Sequence, residues 1–89
     1  MRNVYYRGRK NLIYLQLKLM RVRRDVTQEQ LAARMQVLGV SIDQRSISKI
    51  ENNERIVTDY ELACFCKALR CTEQELLQDF YDEYNRRNS

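Results

Sequence analysis

The chain has no histidine, no proline and only two glycines among its 89 residues, and each shortage closes off a class of answers. Without histidine the commonest general base is missing. No glycine-rich phosphate loop and no nucleophile with a recognisable base takes its place, so acid–base and covalent catalysis lack their usual parts. No enzyme is expected, and no cofactor. With no proline and 44% hydrophobic residues, the chain reads as all-α, because nothing breaks the helical periodicity and no alternating stretch of useful length competes for strands. No apolar run approaches the roughly eighteen residues of a membrane span, so no membrane partner is expected.

Cysteine is also sparse. Cys64, Cys66 and Cys71 form a C-x-C-x4-C pattern that lacks the paired C-x2-C knuckles of a structural zinc site. Cys66 and Cys71 fall where the helical pattern wants burial, and Cys64 lies off that stripe, where it would be the reachable one. Core thiols, no metal and no disulfide framework are the expectation. With no signal-peptide pattern, reduced thiols and a cytoplasmic location follow.

What is present is helical patterning and an uneven charge. Eighty-nine residues suit one domain, with little length left for a second function. Residues 1–55 hold twelve Lys or Arg against five Asp or Glu, a net of +7, whereas residues 56–89 hold four against seven, a net of −3. A phosphate backbone would attract the first part and leave the second for packing or partners. The N-terminal stretch MRNVYYRGRKN, residues 1–11, carries Arg2, Arg7, Arg9 and Lys10 with no acid. It reads as a basic arm that either follows DNA or is solvated, and Tyr5 and Tyr6 argue that it docks somewhere.

The first helix is expected from Leu12, with Asn11 as cap, to Arg24. Ile13, Leu17 and Met20 make its core stripe, and Leu12, Leu15, Leu19 and Val22 make a second apolar line that something else must cover. The terminal helix, the arm and a second subunit are the three options. A second helix opens at Thr27, with Gln30 completing a capping box. It buries Leu31, Ala32 and Met35 and ends at Gly39, a residue that tolerates positive φ. In the link that follows, Val40 and Ile42 alternate with Ser41 and Asp43, pinning the link to the core at every second residue. A third helix starts after Asp43, an N-cap, and buries Ile47 and Ile50. Gln44, Arg45, Ser48 and Lys49 project the other way, and these side-chain types can hydrogen-bond base edges or phosphates in a major groove. Thr58–Glu61 and Thr72–Glu75 are two further capping boxes. The first starts a helix burying Leu62, Phe65, Cys66 and Leu69. The second starts a helix running through Leu76, Leu77, Phe80, Tyr81 and Tyr84.

Arg21, then Thr27-Gln28-x-x-Leu31-Ala32, then Ile47-Ser48-x-Ile50-Glu51-Asn52, then Leu62 to Leu69 and Leu76-Leu77, form a pattern that resembles the lambda repressor-like (Xre/Cro) helix-turn-helix family over residues 12–77. The resemblance implies a compact five-helix domain whose third helix enters the major groove of double-stranded DNA. Two departures stand out: a helix 2 to helix 3 turn several residues longer than usual, and Asn53 where the family often has glycine. The resemblance further implies that Gln28 binds a phosphate and braces Gln44, that Gln44, Arg45 and Lys49 face bases, and that Asn52 meets phosphate. It also implies that Arg21 pairs with Glu51. Ser48 is expected to add a weaker base contact, and Thr27 a phosphate contact. Arg55, just past the third helix, is placed either for a phosphate or for simple solvation. The last helix outruns the family pattern, so residues 78–89 form an extension. There Leu77, Phe80, Tyr81 and Tyr84 are the expected homodimer interface, with binding of a protein partner, as in an antitoxin, as the rival use. Sequence-specific DNA binding by a small prokaryotic or phage-type transcriptional regulator is the function this organisation suggests.

Overall fold

The computed structural model describes residues 6–88. Six helices follow one another: α1 (Tyr14–Arg23), α2 (Gln28–Val37), α3 (Gln44–Glu51), α4 (Asp59–Leu69), α5 (Glu73–Leu76) and α6 (Gln78–Arg87). The all-α class and the lambda repressor-like arrangement expected from the sequence are what the chain adopts. The fifth expected helix is two helices, because the chain bends at Leu77 (φ −96°, ψ 8°). Leu76 is held fully inside the core, whereas α6 buries none of its residues completely and leans on the N-terminal segment instead.

All three Thr capping boxes form. Thr27 Oγ1 accepts from the Gln30 backbone N–H at 3.0 Å while the Thr27 N–H donates to Gln30 Oε1 at 2.9 Å, and Thr58–Glu61 and Thr72–Glu75 repeat the exchange. Each box satisfies two backbone donors that a helix start would otherwise leave unpaired. The expected cap of α1 is different. Asn11 is buried two residues too early to cap that helix, which begins at Tyr14 with Ile13 in the cap position and no side-chain cap bond. Asn11 Oδ1 accepts from the Ile13 N–H, and its Nδ2 donates to the Ile50 and Arg55 carbonyls at 3.0 and 2.9 Å. It therefore closes the C-terminal end of α3 rather than the N-terminal end of α1.

The core is the meeting of one face from each of α1 to α5: Leu17 and Met20, Leu31 and Met35, Ile47 and Ile50, Phe65 and Leu69, and Leu76. The lengthened link holds to it as the alternation required. Gly39 (φ +90°) turns the chain, Val40 and Ile42 are buried, and Ser41 and Asp43 are exposed. Burying two such side chains contributes about 1.5–3 kcal/mol each, enough to fix the entry into α3.

The cysteines depart from expectation in one place. Cys66 is buried, but Cys71 is only half-buried, as is Cys64. Arg70 takes a left-handed cap (φ 55°), which puts Cys71 outside the register of α4. Burial and the neighbouring Cys71 push the Cys66 thiol up to about 12, and burial raises Cys71 as well.

Candidate nucleic-acid interface

α3 is fixed from behind and open in front. Asp43 caps it by accepting the Ser46 N–H at 2.8 Å, and that bond holds the Asp43 carboxyl below its ordinary range. Ile47 and Ile50 have no exposed surface, and Glu51 keeps only 7%. On the far side Gln44, Arg45, Lys49 and Asn52 are exposed and Ser48 half-exposed. All five are polar, and none is buried by the protein's own fold.

Behind this face runs a relay of polar contacts from α1 to the surface. The Arg21 guanidinium donates to both Glu51 oxygens, Nε to Oε2 at 2.7 Å and Nη2 to Oε1 at 3.0 Å, and its Nη1 donates to the Val26 carbonyl at 2.8 Å. The Glu51 side chain is 2% exposed and that of Arg21 11%. Gln28 Nε2 donates to the same Glu51 Oε1 at 2.9 Å, and Gln44 Nε2 donates to Gln28 Oε1 at 2.7 Å. The chemistry fixes every orientation. A carboxylate only accepts, so Gln28 must turn its NH2 to Glu51 and its carbonyl to Gln44. Gln44 is then left with its own Oε1 and one N–H pointing outward, a donor–acceptor pair that matches adenine N6 and N7.

Thr27 is exposed beside this relay, its hydroxyl engaged in the cap of α2. Arg55 is drawn to Glu61: its Nη2 and Nη1 donate to the two carboxylate oxygens at 2.9 and 3.1 Å. Burial alone would raise the Glu61 carboxyl, but the bonds from Arg55 and from the Thr58 N–H outweigh it and hold Glu61 below its ordinary range. The same bond to Glu61 raises Arg55.

The basic N-terminal stretch is docked where it is described. Tyr6 and Arg9 exchange both backbone hydrogen bonds, at 3.0 and 2.9 Å, around Arg7 (φ 50°) and Gly8 (φ 80°). Positive φ at both central residues is the geometry of a two-residue hairpin turn. Residues 1–5, with Arg2 and Tyr5, lie outside the described residues. The turn ties two distant parts of the chain. On one side Asn53 Oδ1 accepts the Lys10 N–H at 2.8 Å and Asn53 Nδ2 donates to the Gly8 carbonyl at 3.3 Å. On the other, Arg9 pairs with Glu83 at 2.6 Å and the Tyr6 ring meets Phe80 edge-on at 5.6 Å. Asn53 has φ +61°, a conformation asparagine tolerates well, which explains how it stands where glycine was expected.

Of the aromatic face on α6, Leu77 packs against the core and Phe80 is half-buried under Tyr6, while Tyr81 and Tyr84 stay 42% and 50% exposed. Neither α6 nor the turn covers the second line on α1, where Leu15, Leu19 and Val22 remain exposed. Sequence reasoning missed Arg24 and Arg34, which donate to the Leu69 and Ala68 carbonyls at 3.0 and 2.9 Å and so satisfy the end of α4. It also missed the bonds of Asn11 to the Ile50 and Arg55 carbonyls and the Arg9–Glu83 pair. The left-handed Arg70 was the local signal for an unusual helix end, but it is visible only in three dimensions.

Among the described residues, no helix is long and apolar enough to cross a membrane, and no group of Cys, Asp and Glu is placed to hold a metal ion. No curated protein matches the chain. A helix-turn-helix family model matches residues 17–76, a stretch that begins and ends on fully buried core leucines and contains the whole Arg21–Glu51–Gln28–Gln44 relay.

Proposed function

The chain belongs to the lambda repressor-like helix-turn-helix family, DNA-binding domains of transcription regulators that are typically not enzymes, and from that premise we propose that it reads double-stranded DNA sequence-specifically, with α3 in the major groove. The observation that carries this is Gln44, exposed at the tip of a bonded relay that leaves its outward donor and acceptor pre-aimed. Gln44, Arg45, Ser48 and Lys49 contact bases, with Arg45 suited to guanine O6 and N7. Thr27, Gln28 and Asn52 set position on phosphates. Arg55 adds a weaker backbone contact, since Glu61 already neutralises much of its charge. A small regulator of prokaryotic or phage type, acting as a repressor in the cytoplasm, is the role this supports.

Self-association belongs to the same proposal. Tyr81 and Tyr84, with Phe80 and Leu77 behind them, offer the face through which two readers would pair. Pairing places two copies on half-sites about 34 Å apart. The same exposed tyrosines favour a second reading, capture of a protein partner in the manner of an antitoxin. Sedimentation separates the two: a homodimer that Tyr81→Asp breaks supports pairing, and a monomer at every concentration removes it.

The decisive experiment is an unbiased selection from random duplexes with the purified protein, repeated with a Gln44→Ala/Arg45→Ala variant. A shared motif with the wild type that fades with the variant is the expected result. A wild type that enriches no motif would overturn sequence-specific reading.

A further inference from the structure

The Tyr6–Lys10 turn lies outside the stretch that matches the family, yet it is bonded to the residue that follows the C-cap of the recognition helix. Asn53 directly follows the C-cap of α3, and its N–H still donates to the Ile50 carbonyl. Whatever sits on Asn53 therefore lies beside the C-terminal end of α3. What sits there is basic. Arg7 and Arg9 both lie over the Tyr6 ring, each guanidinium carbon 5.6 Å from the ring centroid. Arg9 is neutralised by Glu83, whereas Arg7 has no acidic partner within ion-pair distance among the described residues. Glu83 also feels the Arg7 charge at longer range and is the acid that tempers this corner. Arg7 also occupies a left-handed position, φ 50°, that glycine or asparagine would fill more easily, so local backbone preference does not account for an arginine there.

We infer that the Tyr6–Lys10 turn is a second phosphate-binding element, which places the Arg7 guanidinium on the DNA backbone beside the C-terminal end of α3. Four features serve this contact. The Tyr6 ring stacks under the guanidinium and limits its freedom before DNA arrives. Phe80 and the Arg9–Glu83 pair fix Tyr6 from the side of α6. Asn53 fixes the turn to the reading helix, so the phosphate contact and the base contacts share one rigid frame. The turn that carries Arg7 is also bonded just past the C-terminal end of α3, the end of a helix whose dipole favours a cation. The turn thus acts as a strap whose charge contributes affinity without sequence information.

This inference rests on the DNA-binding reading and is tested apart from it by measuring affinity for a random duplex as salt is varied. Arg7→Gly removes the guanidinium and relieves the positive φ, so the variant folds at least as well as wild type. Its affinity should fall roughly 5- to 10-fold near 0.1 M salt, and the slope of log K against log salt should shrink by about 0.9, the loss of one phosphate contact. Arg7→Lys should keep most of both. Asn53→Gly preserves the left-handed backbone but frees the turn from α3, and should lose about as much as Arg7→Gly, with no further loss when the two are combined. Wild-type affinity and slope in Arg7→Gly would overturn the phosphate contact. Full additivity of the two variants would overturn its placement by Asn53. A wild type with no salt-dependent duplex binding would overturn this inference and the DNA-binding reading together, whereas loss of base preference in Gln44→Ala/Arg45→Ala beside an unchanged Arg7→Gly would overturn the strap alone.

Discussion

Removing Arg21 should destabilise the domain and blur its reading at one base position through the same contact. In Arg21→Ala the Glu51 carboxylate, 2% exposed in the wild type, keeps one donor, Gln28 Nε2, but loses the two guanidinium bonds of 2.7 and 3.0 Å. Stranding one partner of a buried pair costs about 3–5 kcal/mol. A domain of this length holds roughly 5–13 kcal/mol in all, so the loss takes a large share of it. At roughly 4–8 °C per kcal/mol, Tm should fall by more than about 12 °C, measured by circular dichroism. A melting temperature within a degree or two of wild type would refute the buried pair as a support. A second variant separates support from aim. Arg21→Met/Glu51→Leu replaces both charges by apolar groups and should recover most of the stability, as buried pairs often allow. Gln28 then has no acceptor behind it, so Gln44 loses its brace. Selection with this variant should show a relaxed preference at the base that Gln44 reads and an unchanged one at the base that Arg45 reads. A stable double variant with wild-type preference at both would show that the relay does not aim Gln44.

Two further outcomes follow from the titrating groups. Glu61 is held below its ordinary range in the folded state, so the stability it contributes is present above its unfolded value near 4.5 and is lost as pH falls through the lower folded value; Glu61→Gln should therefore lower stability at neutral pH and flatten its dependence below about pH 5, read from urea midpoints across pH. Cys66 is raised to about 12, so a neutral thiol is favoured in the fold, and the stability tied to it is present below the unfolded value near 9 and lost as pH climbs toward 12. At pH 8 a thiol reagent should leave Cys66 unmodified in the native protein while Cys64 reacts, and mass mapping that finds Cys66 labelled first would contradict its burial.

What could be read from the sequence was local. Thr27 with Gln30, Thr58 with Glu61 and Thr72 with Glu75 each decide a helix start within four residues, and all three form. The alternation Val40, Ser41, Ile42, Asp43 likewise fixes which residues of the long link turn inward, without knowledge of what they meet. The break at Leu77 was not legible, because the apolar spacing continues through Phe80, Tyr81 and Tyr84. Only the position of the core decides that Leu76 is gripped and Gln78 is not. Cys71 was misplaced for a similar reason: periodicity carries no warning that Arg70 will adopt a left-handed backbone.

The polar side chains divide along the same line, and the division bears on the site. Asn11 was read as a cap because the nearest unsatisfied donors in sequence belong to α1, yet its amide serves the carbonyls of Ile50 and Arg55, 39 and 44 residues away. Arg9 likewise finds Glu83 across 74 residues, and Arg55 finds Glu61 rather than solvent. For Asn11 and Arg9 the choice of partner depends on which distant segments the fold brings together, and a buried donor or acceptor takes whichever partner is there because leaving it unpaired costs about 1–3 kcal/mol. Arg21 and Glu51 escaped this difficulty only because a family pattern supplied the topology in advance. The consequence for the interface is that the charges available to DNA are the basic side chains left over after such pairing. Arg55 is largely withdrawn by Glu61 and Arg9 by Glu83, while Arg45, Lys49 and Arg7 keep exposed side chains on one side of α3 and at its C-terminal end. The +7 excess of residues 1–55 is thereby thinned at Arg9 and Arg55 by Glu83 and Glu61, acids of the second part of the chain, while Arg45 and Lys49 on α3 keep their charge.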